Sequence, residues 1–242
     1  MSTVRTLAFR VLAVLFALLL LVGFGAWRGI FSPWWVAPDQ TDHGWPRTPE
    51  LHRVADTSAA LLFIMIGIAL VFLAIGPRGR SGLSAWTGAV LALTGGLAWV
   101  SALIQGHDIQ PALVTSLVWL ALVALMFLVL HPERALVRRG GARQEVGPDD
   151  RTRLGLTVAR AVGVVLALGA VGWRLSGGVF EGPFEDDVLS LTYLGLAWAL
   201  AAGTARAGRA GWRALALIVA LSMLYAVLAL FFLLAYQHRW RD

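Results

Sequence analysis

His52 and Asp56 stand four residues apart, a spacing that places both on one face of a helix. His107 and Asp108 lie in the short polar turn Gly106-His107-Asp108-Ile109-Gln110-Pro111. The flanking runs are apolar, and if they are membrane helices all four residues meet at one membrane surface. Neutral imidazoles with a carboxylate are ordinary ligands for a divalent metal. Asp56, one turn from His52, could orient that ring. Two imidazoles on neighbouring helices could also hold a haem iron. The plainer reading is that His and Asp at helix ends are solvated or capping. No H-x-x-x-H, HExxH or Cys/His spacing accompanies them.

A second acidic group, Glu181, Glu185, Asp186 and Asp187, precedes another apolar run. Carboxylates there complement the positive end of a helix dipole. Glu185 and Asp186 could alternatively form an outer-face acidic site that protonates an apolar lipid or isoprenoid substrate. His131, in Leu130-His131-Pro132-Glu133-Arg134, closes a different run at the opposite surface. A cation suits a helix C-terminus, so a structural role as a charged terminal residue is expected for it. The chain has no cysteine, which removes disulfides, thiolate metal sites and Cys nucleophiles. It also has no lysine, so a Schiff-base cofactor such as retinal is excluded on chemistry. No Walker loop or Gly-x-Ser-x-Gly occurs.

These residues must be positioned by elements that composition identifies. The 242 residues are 58% hydrophobic and 14% charged, with a mean hydropathy of +0.73. A water-soluble chain that apolar would expose large aggregating patches. Lipid as solvent resolves the excess. Seven apolar runs are long enough to cross a bilayer core, which takes roughly 20 residues. They are 9–27, 57–76, 85–104, 111–130, 154–175, 188–205 and 214–236. The first is longer than a signal-peptide core and has no Ala-x-Ala-like end, so it reads as a retained helix. The sixth is the weakest, being short and rich in Gly with Thr192 and Tyr193. Backbone groups in lipid must be satisfied within the segment, so these runs read as helices.

Arginine placement sets an orientation. With the N-terminus inside, the inner surface holds Arg5, Arg10, Arg78, Arg80, Arg134, Arg138, Arg139, Arg143, Arg151, Arg153, Arg206, Arg209 and Arg213. The outer surface holds Arg28, Arg47, Arg53, Arg174, Arg239 and Arg241. That asymmetry predicts the N-terminus in and the C-terminus out. Arg160 falls within the fifth run, close enough to its inner end to snorkel, and is expected to be tolerated for that reason. Thr87, Thr94 and Ser101, beside Gly88, Gly95 and Gly96, read as a packing stripe on the third helix.

The expected fold is therefore an all-α, polytopic integral membrane bundle of about seven transmembrane helices. Residues 1–130 form a four-helix module with a long outside loop at 28–56, rich in Trp and Pro. Residues 131–153 read as an Arg-rich cytoplasmic linker, and 154–242 as a three-helix module. Arg10–Pro33 and Arg160–Pro183 share an Arg, an apolar run, a Trp-Arg pair and then Gly, Phe and Pro. That similarity suggests a 3+1+3 parallel internal repeat. The net charge of +6 lies in short loops between apolar runs, which argues for lipid and against nucleic acid as the partner. The leading functional reading is a permease-like or accessory subunit of a complex in the cell membrane, alongside other membrane subunits. A haem- or metal-binding protein using His52, Asp56 and His107 is the first alternative. A membrane enzyme on an apolar substrate is the second.

Overall fold

A computed structural model of the chain describes residues 2–23, 26, 30–31, 49–105, 109–176 and 185–236. Among them the chain is helical, with no strand. Helix α1 spans Ser2–Leu18 and runs on as π-helical turns over Leu19–Gly23. Helices α2 (Pro49–Ile75) and α3 (Ser81–Gln105) follow. Helix α4 spans Ile109–Ala124 and continues as π-helical turns over Leu125–Leu130. A short α5 (Arg134–Arg138) precedes α6 (Asp150–Leu175), α7 (Glu185–Arg206) and α8 (Trp212–Tyr236). Each apolar run of the sequence lies wholly or mostly within one of the long helices. Among the described residues, five helices are long and apolar enough to cross a membrane, over Thr3–Gly23, Asp56–Ile75, Leu113–Leu130, Asp150–Trp173 and Trp212–Phe232. Helices α3 and α7 pack among these five.

Burial orders the bundle. Helix α2 is the most enclosed of the five, and α1, α4, α6 and α8 leave most of their apolar surface outside. Helix α7, which holds the shortest of the seven apolar runs, packs against α2, α3, α6 and α8. Most of its buried residues are small: Ala197, Ala201, Ala202 and Ala205 are fully enclosed. In lipid, apolar burial drives helix association little, so close packing and interhelical hydrogen bonds take over. Three Trp indoles do this here. Trp86 Nε1 donates to the Ala197 carbonyl at 3.0 Å, Trp198 Nε1 to Ser222 Oγ at 2.8 Å, and Trp119 Nε1 to Leu91 O at 2.8 Å. A fourth, Trp212 Nε1, ties α8 to the preceding connection by donating to Val146 O at 3.1 Å. Of the stripe on α3, Gly88 packs against Phe127 and Gly95 against Trp119, whereas Gly96 faces open space.

The loops at the Arg-rich end are tied together. Helix α2 stops where Pro77 removes the next amide donor. Its terminal carbonyls are taken up by arginine: Arg10 donates to Ile75 O at 3.2 Å and Arg80 to Phe72 O. Arg138 does the same for Leu128 O at 3.0 Å, at the end of α4. Cations at these C-termini also complement the helix dipole. At the other polarity, Asp149 caps α6 by accepting from Thr152 N at 2.7 Å, which holds its carboxyl below the usual carboxylate range.

Residues 131–149 form a tied segment. Ala142 N donates to Ser81 Oγ at 3.0 Å, and Ala210 N to Ala142 O at 2.7 Å. Gln144 N donates to Gly208 O at 2.9 Å, and Arg209 reaches Gly141 O at 2.6 Å. The segment thus lies between the 76–80 turn and the 207–211 turn, touching both.

Candidate functional site

Two polar features stand at the Arg-rich end. The first surrounds His131, the residue that caps the α4 π-turns at their C-terminal end. It is fully buried, with Phe9 edge-on at 4.7 Å between ring centres. The backbone N–H of Glu133 donates to His131 Nδ1 at 3.0 Å. Nδ1 is therefore the unprotonated nitrogen, and the proton of the neutral ring sits on Nε2. Nε2 lies 2.9 Å from Ser84 Oγ, so the imidazole donates there. Ser84 in turn donates to the Arg80 carbonyl at 3.1 Å. A serine beside a histidine invites comparison with a nucleophile and its general base. This tautomer is the wrong one, because Nε2 already carries its proton. The chain His131–Ser84–Arg80 is a buried lock between α3 and the end of α4.

The expected charged His131 is thus corrected. Burial pushes its imidazole down to about 4. Loss of hydration outweighs the pull of the helix terminus. A pH dependence follows. The unfolded ring titrates near 6.5, so above that value both states are neutral and the full contribution to stability is present. As pH falls from about 6.5 to about 4, the unfolded chain takes up a proton that the folded chain refuses. Stability should fall through that window, by up to about 3 kcal/mol. Below about 4 the folded ring protonates too and the loss stops growing. Thermal melts of purified protein across this range should show the slope, and His131→Gln should flatten it. An unchanged slope in that variant would assign the acid sensitivity to other groups.

The second feature is a recess of about 560 Å³ where α6, α7 and the 143–147 segment meet. Arg143, Arg153, Arg160 and Arg206 line it, with Glu145 as the one carboxylate. Arg153 and Arg160 are seven residues apart on α6, two turns along the same side. The stem of Arg160 runs beside Gly203, with Nε 3.8 Å from where a Cβ at that position would stand. Arg206 follows Gly203 by three residues and so shares its face of α7. The third wall is fixed by the Gln144 N–H donating to Gly208 O, the Arg143–Arg209 bridge, and the Trp212 indole donating to Val146 O. Among the described residues, none of the four guanidiniums meets a carboxylate at ion-pair distance.

In the sequence these arginines read as loop charges and a snorkelling residue. The signals for the recess are the seven-residue spacing of Arg153 and Arg160 and the Gly203–Arg206 pair. The residues whose types suggest chemistry are placed differently. His107 and Asp108 lie outside the described residues, as do the side chains of His52, Glu185 and Asp186. Asp56 is half-buried on α2. The turn joining α2 to α3 is short, which puts the start of α2 and the end of α3 at the same end of the bundle. Among the described residues, no group of three or more metal-ligating side chains comes together. Comparison with protein-family models, with characterised proteins and with solved structures finds no match for this chain.

Proposed function

We propose that this chain is a seven-span protein of the cell membrane, with its N-terminus in the cytoplasm, acting as a permease-like or accessory subunit of a membrane complex. The observation that carries the reading is the convergence of three Arg-bearing segments, 76–80, 131–149 and 207–211, at one end of an apolar bundle. A cluster of that kind belongs on the cytoplasmic side. The broad apolar faces left uncovered on α1, α4, α6 and α8 suit contact with lipid or with neighbouring subunits. The Ser84–His131 lock supports a non-catalytic role for the most enzyme-like pair in the described interior.

Topology reporters test this directly. Fusions after Arg80 and after Arg143 should report cytoplasm, and a fusion at Asp242 should report the outside. A cytoplasmic signal at Asp242 means an even number of crossings and withdraws α7, which holds the shortest run, as a span. For the subunit role, the protein extracted in mild detergent should migrate in a defined assembly larger than its own micelle. A monodisperse monomer that retains its native activity would count against it.

A further inference from the structure

We infer that the recess lined by Arg143, Arg153, Arg160 and Arg206 is a binding site for a phosphate-bearing anion, with an anionic phospholipid headgroup as the favoured source. Four guanidiniums and one carboxylate leave a formal excess of three positive charges around one cavity. Like charges held together repel unless an anion joins them. Guanidiniums present forked, always-charged donors that match phosphate oxygens in pairs. The walls are already held by the Gln144–Gly208 bond and the Trp212–Val146 bond, so little ordering is left for the ligand to impose.

Position selects the lipid source. Arg160 lies within the span Asp150–Trp173 and is exposed, ten residues from the start of that segment. Val164, Leu168 and Val171, one to three turns further along the same side of that helix, are also exposed and apolar. Acyl chains can lie along these residues while the headgroup sits among the arginines. Basic pockets between helices at the cytoplasmic leaflet bind phospholipid headgroups by this chemistry. The tolerance expected of Arg160 from snorkelling therefore gives way to a binding role. The lipid source rests on the membrane reading above, whereas the anion site itself does not, and the topology reporters test the former separately.

The experiment titrates short-chain phosphatidylglycerol into the full-length protein in neutral detergent, with phosphatidylcholine of the same chain length as the uncharged comparison. A parallel arm titrates inorganic phosphate. Wild type should bind phosphatidylglycerol and not phosphatidylcholine. Arg160→Gln combined with Arg206→Gln should weaken binding about 10–100-fold, as loss of two charge-assisted contacts does. Arg160→Lys should restore part of it. The pair Arg78→Gln and Arg139→Gln, exposed at the same end but outside the recess, should bind like wild type. Phosphate binding that equals the lipid and is lost in the Arg160/Arg206 variant would also support the site, and would make the free anion its ligand. Absence of anion binding in both arms overturns the proposal. So does equal weakening in the Arg78/Arg139 pair, since diffuse surface charge then suffices.

Discussion

Replacing Gly195 with alanine should destabilise the protein by about 2 kcal/mol or more, and with leucine should abolish its folding. A Cβ at Gly195 would stand 2.5 Å from the Gly163 carbonyl oxygen and 2.7 Å from Ala167 N. A Cβ at Gly163 would stand 2.6 Å from the Gly195 oxygen and 2.8 Å from Ala199 N. These are backbone atoms, which cannot swing aside as a side chain can. The two helices would have to separate by about an ångström to reach ordinary contact. Helix α6 has α7 as its principal neighbour, so separation there loosens the whole helix. Gly163→Ala should therefore cost a similar amount. The pair should be non-additive, because helices already parted by one substitution admit the second more cheaply. Glycines of α6 facing open space provide the comparison. Gly169→Ala and Gly172→Ala should be neutral or stabilising, since alanine is the better helix former. Unfolding by added denaturing detergent measures all of these. Equal stability of Gly195→Ala and Gly169→Ala would remove the close contact as the organising feature of this half of the bundle.

The second large effect is expected at Gly141. Its φ of +91° lies in the left-handed region, and a Cβ there would collide with Cα of Gly82 and stand 2.5 Å from Gly82 N. Gly141→Ala should lift the 141–144 segment off the start of α3. The Ala142–Ser81, Ala210–Ala142 and Gln144–Gly208 bonds would then be lost together. Gly140 isolates the two causes. Its φ is +75° but nothing lies near its missing Cβ, so Gly140→Ala carries only the left-handed strain of about 1–2 kcal/mol. Arg138, Arg139 and Arg143 provide cleavage points for an Arg-specific protease. Gly141→Ala should be cut there at least about tenfold faster than wild type, with Gly140→Ala in between, because cleavage follows the population of the opened segment. If Gly141→Ala resists cleavage as wild type does, the contact with Gly82 is not what holds the three loops together.

The recess combines these two features. Its α6–α7 side depends on Gly163 and Gly195, and its third wall on the anchoring of 143–147. Weakening either should loosen the arrangement of Arg143, Arg153, Arg160 and Arg206 even though none of the four is replaced.

What the sequence determined by itself was the helical membrane class and the grouping of charge. Lipid offers the backbone no hydrogen-bond partner, so each long apolar run has to be a helix wherever it packs. The concentration of Arg at loops joining those runs was equally readable, because it is local to each loop. Packing rank was not readable. Helix α7 holds the shortest apolar run and looks the weakest span, yet it touches α2, α3, α6 and α8, since Gly195 and its alanines exchange apolar surface for close approach. The charge state of His131 was not readable either. A helix terminus argues for a cation, but Phe9, 122 residues earlier in the chain, helps bury the ring and keep it neutral. The recess is the strongest case. Arg143, Arg153, Arg160 and Arg206 belong to a tied segment and two different helices. Only the close crossing at Gly163 and Gly195, and the clamp of Gly141 on Gly82, bring them around one cavity. Hydropathy reads a chain one window at a time, whereas the distance between guanidiniums on different elements is set by how closely their backbones can approach.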